Sequence, residues 1–203
     1  MARPRTRERD AERSEGRAAT PRLRRSERRE QILAAATSAF ARTGFADTSL
    51  EDVAAEAGVT RAILYRHFES KADLYRSVLD RAKQRLDAAT GAPEFTDASI
   101  DALLAAAADD PAAFRLLFHH AAREPAFKEE MDRLRAEAFA MTHRQLAGVI
   151  PDRRWARWAA QLVPIVAIEA VIAWLDAGQP DPDEAAERIR RAIYAVIKSA
   201  AER

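Results

Sequence analysis

Within eight residues, Thr60-Arg61-Ala62-Ile63-Leu64-Tyr65-Arg66-His67, the chain gathers a hydroxyl, two guanidinium groups, a phenol and an imidazole, with Lys71 one turn further on. These types at this spacing form no nucleophile–base pair and no metal set. They suit recognition of nucleic acid. A guanidinium on a first helical turn bonds bidentately to a guanine edge, worth ~1–3 kcal/mol of discrimination. That role falls to Arg61. Ala62 is small enough for close backbone approach, and Ile63 has the apolar surface to touch a thymine methyl. Thr60 at a helix N-cap brings free amides and a partial positive charge to where a phosphate can sit. The polar tips of Tyr65 and His67, with Arg66 and Lys71, fall within reach of backbone phosphates, contacts that position a protein and carry little sequence information.

The elements that must hold these groups read as all-α. Ala dominates many segments, Gly numbers only six, and alternating Val/Ile/Thr runs are missing. A first helix from about residue 26 to 43 carries Ile32, Leu33, Ala36, Ala39 and Phe40 on one face, with Gly44 as its stop. A second begins at Thr48 or Ser49. Thr48 with Glu51 and Ser49 with Asp52 both have capping-box spacing, so the start is defined and its register is not. Gly58 reverses the chain, Thr60 opens the third helix, and Ser70 caps a fourth that reaches about residue 89. Two short helices hinged at a glycine, the second basic and aromatic, form a helix-turn-helix suited to the DNA major groove.

In this order and spacing, Ile32-Leu33-Ala34-Ala35-Ala36 with Phe40, Gly44-Phe45, Thr48-Ser49-Leu50-Glu51-Asp52-Val53-Ala54, Ala57-Gly58-Val59-Thr60, Leu64-Tyr65-Arg66-His67-Phe68 and Ser70-Lys71-Ala72-Asp73-Leu74 resemble the DNA-binding domain of TetR-family transcriptional regulators. The resemblance covers about 55 residues, a little over a quarter of the chain. It implies phosphate contacts from Thr48 or Ser49, Tyr65, His67 and Lys71, and bases facing Arg61 and Ala62. Ile63 departs from the small or hydroxyl residue usual there. It also implies a homodimer on a double-stranded, pseudo-palindromic operator, a variable helical body that binds an effector, and most often repression.

Charge distribution fits that plan. Residues 1–81 hold 17 Lys+Arg against 13 Asp+Glu, and 82–203 hold 16 against 19. A basic front and a mildly acidic rear suit a DNA-binding head on a body with another task. Residues 1–25 carry nine Arg and almost no large apolar side chain, so a disordered arm is expected, either tracking phosphates or merely solvated. The head is assigned to 26–81 and the body to 82–203, about nine helices in all. In the body, helices are expected near 98–108, 111–122, 125–149, 153–177 and 183–203.

Phe114, Phe118, Phe127, Met131, Phe139 and Trp158 supply the adaptable apolar surface of a pocket for a small, largely apolar effector. Glu169, a carboxylate inside an apolar helix, pairs across a dimer, lines that pocket or faces solvent. Leu162, Ile165, Ile172, Ile189, Ile193 and Val196 on the last two helices are the candidate dimer seam, a four-helix bundle about a two-fold axis. The chain has no cysteine, which excludes disulfides, thiolate zinc sites and cysteine nucleophiles. His119 and His120 diverge by about 100° on a helix, and with His143 they lack metal-ligand spacing, so neither metal nor cofactor is expected. No catalytic motif appears, and an enzyme is not expected. Neither a secretory leader nor a charge-free apolar run long enough to span a bilayer is evident. The expectation is a cytoplasmic, bacterial protein without a membrane. The rival reading is a helical small-molecule-binding or scaffold protein whose head no longer binds specific DNA.

Overall fold

The computed structural model describes residues 24–91 and 95–202. Among them are nine α-helices and no strand: α1 Arg25–Asp47, α2 Leu50–Glu56, α3 Arg61–Tyr65, α4 Lys71–Thr90, α5 Asp97–Asp109, α6 Pro111–Arg115, α7 Lys128–Leu146, α8 Arg153–Asp176 and α9 Pro182–Ala201. Between α6 and α7 run a π-turn, Leu116–His120, and two 3₁₀ turns, Ala121–Arg123 and Pro125–Phe127. The Arg-rich arm lies outside the described residues, except that Arg24 caps α1 and Arg25 opens it.

Local chemistry sets the ends of the head helices. Gly44 sits at φ 79°, breaking α1 where the helix was expected to stop; only glycine adopts that region without strain. Ser49 settles the register of α2: its hydroxyl accepts from the Asp52 amide at 3.0 Å and its own amide donates to Asp52 Oδ2 at 3.0 Å. Thr60 and Ser70 cap α3 and α4 in the same way. Apolar faces of α1–α4 then meet over Ile32, Leu33, Phe40, Val53, Leu64, Phe68, Leu74 and Val78.

That core does not end at the head. Ala113, Leu116, Leu117, Ala121, Phe127 and Met131 belong to the same buried cluster. Phe127 lies 4.4 Å from the Tyr75 ring and 5.0 Å from Phe45, centroid to centroid. The boundary drawn at residues 81 and 82 falls inside α4, one continuous helix. Two further clusters fill the body, one where α5, α8 and α9 meet and one among α7, α8 and the end of α9.

The 24-residue α8 is long and apolar enough, by length and composition, to cross a membrane. Here it packs between α7 and α9, burying Ala156, Ala159, Val163, Ala167, Val171 and Trp174. The Trp174 indole donates to the Pro180 carbonyl at 2.5 Å and pins the α8–α9 loop. One expected helix is not a single helix. The stretch from 111 to 122 is α for only five residues before it widens into the π-turn. The element from 125 onward likewise begins as a 3₁₀ turn.

Candidate functional site

The first turn of α3 stands clear of the core. Arg61, Ala62, Tyr65 and Arg66 are exposed, while Leu64 and Phe68 face inward. Thr60 holds the turn by accepting from the Ile63 amide, and Gln31 ties the preceding reversal to α1 by donating to the Ala57 carbonyl at 2.8 Å. Tyr65 is 44% exposed, so it is not a core residue. Its hydroxyl accepts from Arg61 at 3.1 Å, and the Arg61 guanidinium also pairs with Glu51 on α2. Both partners raise the Arg61 pKa, the Tyr65 hydrogen bond first and the Glu51 charge next. Glu51 thus pre-positions the candidate base reader, a role the sequence did not reveal.

A basic shelf adjoins this turn. Arg25 and Arg28 from α1 and Arg66 and His67 from the end of α3 line an open concavity of about 500 Å³. None of Arg25, Arg28 and Arg66 has an ion-pair partner among the described residues. The His67 ring is held below its ordinary pKa, chiefly by burial and then by the positive charge of Arg25, Arg29 and Arg28. Clustered arginines without carboxylates suit phosphates, which complete their hydrogen bonding. Sequence reading missed Arg25 and Arg28. Their spacing of three on α1 was the available signal, because it places both on one helical face.

Three expected contact residues are placed differently. Thr48 is 2% exposed, and its hydroxyl bonds to the Gly44 carbonyl at 2.6 Å and to the Thr43 hydroxyl at 2.7 Å. It shapes the α1–α2 corner, and Ser49 is the accessible member of the pair. Ile63 is half-buried against the head core, which leaves only part of its side chain for a base. Lys71 donates to the carbonyls of Ala46 and Thr48, each at 3.0 Å, with its ammonium 4.6 Å from the Phe45 ring centroid. Two of its three donors therefore secure α4 to the α1–α2 corner, and one remains.

The candidate effector residues separate in a similar way. A groove of about 740 Å³ between α7, α8 and the π-turn is lined by Phe118, Met131, Phe139 and Glu169. Ile165, expected at a dimer seam, lines the same groove and is 57% exposed. So do Gln161 and Pro164; the proline has no amide hydrogen and leaves the Ala160 carbonyl without its helical donor. Phe127 does not belong here, since it is fully buried in the head core. Phe114 lines a different concavity, against α4, and Trp158 is on the surface, edge-on to Trp155 at 5.7 Å.

Of the candidate dimer residues, Ile172 and Ile189 are internal to the body core. Leu162, Ile193 and Val196 are half-buried. The exposed apolar positions on α8 and α9 are Trp155, Trp158, Ile165 and Tyr194.

Residues 32–78 match the family described as bacterial regulatory proteins, tetR family. The HTH-type transcriptional repressor SCO4008 of Streptomyces coelicolor is 33% identical over 130 residues, 60% of this chain and 67% of that protein. The chain belongs to the tetR family. Another tetR-type relative, the HTH-type transcriptional activator FasR of Mycolicibacterium smegmatis, is 34% identical over 107 residues, 49% of each chain. The chain thus matches about half the length of that relative, and 34% of the Pseudomonas putida regulator TtgR. A TetR-like transcriptional regulator from Rhodococcus sp. RHA1 has the same fold, with a TM-score of 0.74 over 85% of this chain and 97% of that one at 22% identity. The tetR-family match spans part of α1 through most of the first half of α4 and includes the exposed α3 turn with Arg66 and His67, while Arg25 and Arg28 of the shelf precede it.

Proposed function

We propose that this chain is a DNA-binding transcription regulator, a ligand-responsive repressor that acts as a homodimer on a pseudo-palindromic operator. One observation carries the reading: an exposed, capped helical turn bearing Arg61 and Ala62 lies beside arginines that no carboxylate among the described residues pairs with. Arg61 and Ala62 face base edges there, while Ser49, Thr60, Tyr65, Arg66 and His67, with Arg25 and Arg28, hold phosphates. One α3 reads one half-site. A second copy is needed to read the other, about one DNA turn or 34–36 Å away.

The division of labour follows the chain. The head binds the operator, and the body receives a small, largely apolar effector in the groove between α7 and α8. Its volume is ordinary for such ligands, about 300–1,000 Å³. Trp155, Trp158, Leu162 and Tyr194 lie against a second copy. Operator binding places the protein in the bacterial cytoplasm. An effector shifts the head only by its difference in affinity between two arrangements. Two elements carry that difference: α4, continuous from the head into the body, and the Leu116–Phe127 segment, which lines the groove at one end and reaches the head core at the other.

Titration of labelled duplex DNA at several salt concentrations tests the reading. Affinity falls steeply with salt, and Arg28→Ala flattens the log–log slope by about one. Arg61→Ala reduces the preference for operator over scrambled duplex by about ten-fold or more, the loss of one bidentate base contact. Equal binding to every genomic fragment and to random duplex overturns the proposal.

A further inference from the structure

Two concavities in the body meet at a shared pair of side chains. The groove of about 740 Å³ has Leu117 and Phe118 in its wall. A chamber of about 500 Å³, between α4, α5 and α6, has the same two residues on its side of that wall. The rest of its lining is mostly alanine, including Ala82, Ala89 and Ala106, together with Leu86. On its charged rim Arg85 pairs with Asp110 at 3.3 Å, while Asp109 is exposed and has no partner among the described residues. Nothing there offers a ligand a free polar partner except at the exposed edge.

The dividing wall is the part of the body least committed to regular helix. Phe118 is half-buried and packs at a tilt against Phe114, with centroids 4.8 Å apart. It stands in the π-turn Leu116–His120. Such turns carry an extra residue per turn and occur mostly as isolated bulges, frequently at functional sites. Both concavities carry charged groups at their rims. Gln161 and Glu169 line the larger groove and make no hydrogen bond or ion pair to another described residue, whereas Asp132 there is paired with Lys128 and Arg135.

We infer that groove and chamber become one binding site when Phe118 swings aside, and that the site takes a single-chain amphiphile. The polar end lies beside Gln161 and Glu169. The unbranched hydrocarbon tail crosses the wall into the alanine-lined chamber. A chain is favoured over a fused-ring ligand because the passage is only as wide as the side chain that vacates it. The tail then presses on Ala82, Leu86 and Ala89 of α4, the helix that carries the head. This rests on the effector reading of the larger groove and adds the ligand's shape, the place of its tail and the route of its effect.

Two homologous series test it on the full chain by calorimetry below the micelle concentration: n-alkyltrimethylammonium ions and n-alkanoates of about six to fourteen carbons. Each buried methylene raises affinity by about four-fold. The expected result is a rise that continues through the longer members in at least one series, with release of labelled operator DNA only by chains long enough to cross the wall. Ala106→Phe fills the chamber, so the gain from longer chains and their release of DNA both disappear while short-chain binding persists. Ala89→Phe blocks the chamber from α4 and acts alike should the first variant fold poorly. Phe118→Ala brings DNA release to shorter chains. Length dependence identical in wild type and both filled variants overturns the chamber while leaving the groove as an effector site. Binding by no member of either series overturns the effector reading as well.

Discussion

At the scale of single residues, His67 links the interface to pH. Burial and three neighbouring arginines hold its imidazole below the ordinary value. The unfolded chain takes up that proton below about pH 6.5 while the native ring stays neutral. Stability from this group is therefore complete above about pH 6.5 and declines as pH falls through the lowered native value. A phosphate docked among Arg25, Arg28 and Arg66 offsets the repulsion and draws the pKa back up, so DNA binding takes up a proton. Affinity for duplex DNA is expected to strengthen from roughly pH 7.5 to 6, by at most about ten-fold per unit of pKa restored. His67→Asn should remove this dependence in an anisotropy titration. A wild-type profile that is flat after buffer correction takes His67 out of the contact. The residue types of the proposed interface can be read from the sequence, but their competing partners cannot. Thr48 and Ser49 are interchangeable by capping rules, and only the packed corner shows that one is buried. A lysine on a helix first turn opposes the helix dipole, and at Lys71 two carbonyls from a segment 23 and 25 residues earlier compensate.

At the scale of elements, caps and glycines made the head readable, since Ser49, Thr60 and Ser70 each satisfy orphan amides within three residues of themselves. Gly44 is the sharpest case. A Cβ there would meet Glu124 Oε1 at an ordinary 3.9 Å, so Gly44→Ala has no steric penalty. Its cost is the backbone at φ 79° and ψ 175°, a region essentially confined to glycine, about 1–3 kcal/mol for an L-residue. Denaturant unfolding should register that loss for Gly44→Ala and no less for Gly44→Asn, whose tolerance is for the left-handed helical region; an unchanged midpoint would mean that the corner relaxes freely. The segment from Leu116 to Phe127 was far less legible. Its apolar residues have helical spacing, and periodicity does not distinguish an α-turn from a π-turn. Phe127 was assigned to an effector pocket because it lies among body residues in the chain. Its ring instead packs at a tilt against Tyr75 and edge-on to Phe45 in the head, a long-range contact that no local pattern announces.

At the scale of the whole molecule, the proposed assembly rests on the apolar positions of α8 and α9 that the single chain leaves exposed. Ile172 and Ile189 were expected at the seam, but both fill the core shared by α5, α8 and α9: α8 is apolar around most of its circumference and does not indicate which face remains open, and the narrow apolar stripe of α9 is used up against α5 and α8. Trp155, Trp158, Ile165 and Tyr194 do remain open. Trp155→Glu should give a folded monomer by sedimentation, with unchanged helix content and with operator affinity reduced to that of a single head. A variant that sediments as a dimer would move the seam elsewhere. The tryptophans make the same question accessible to light. Trp174 is 6% exposed, whereas Trp155 and Trp158 are 50% and 39% exposed. Emission from the first is fixed by the interior at any dilution. Emission from the other two should shift to the red as subunits part, so the protein reports its own dissociation without a label.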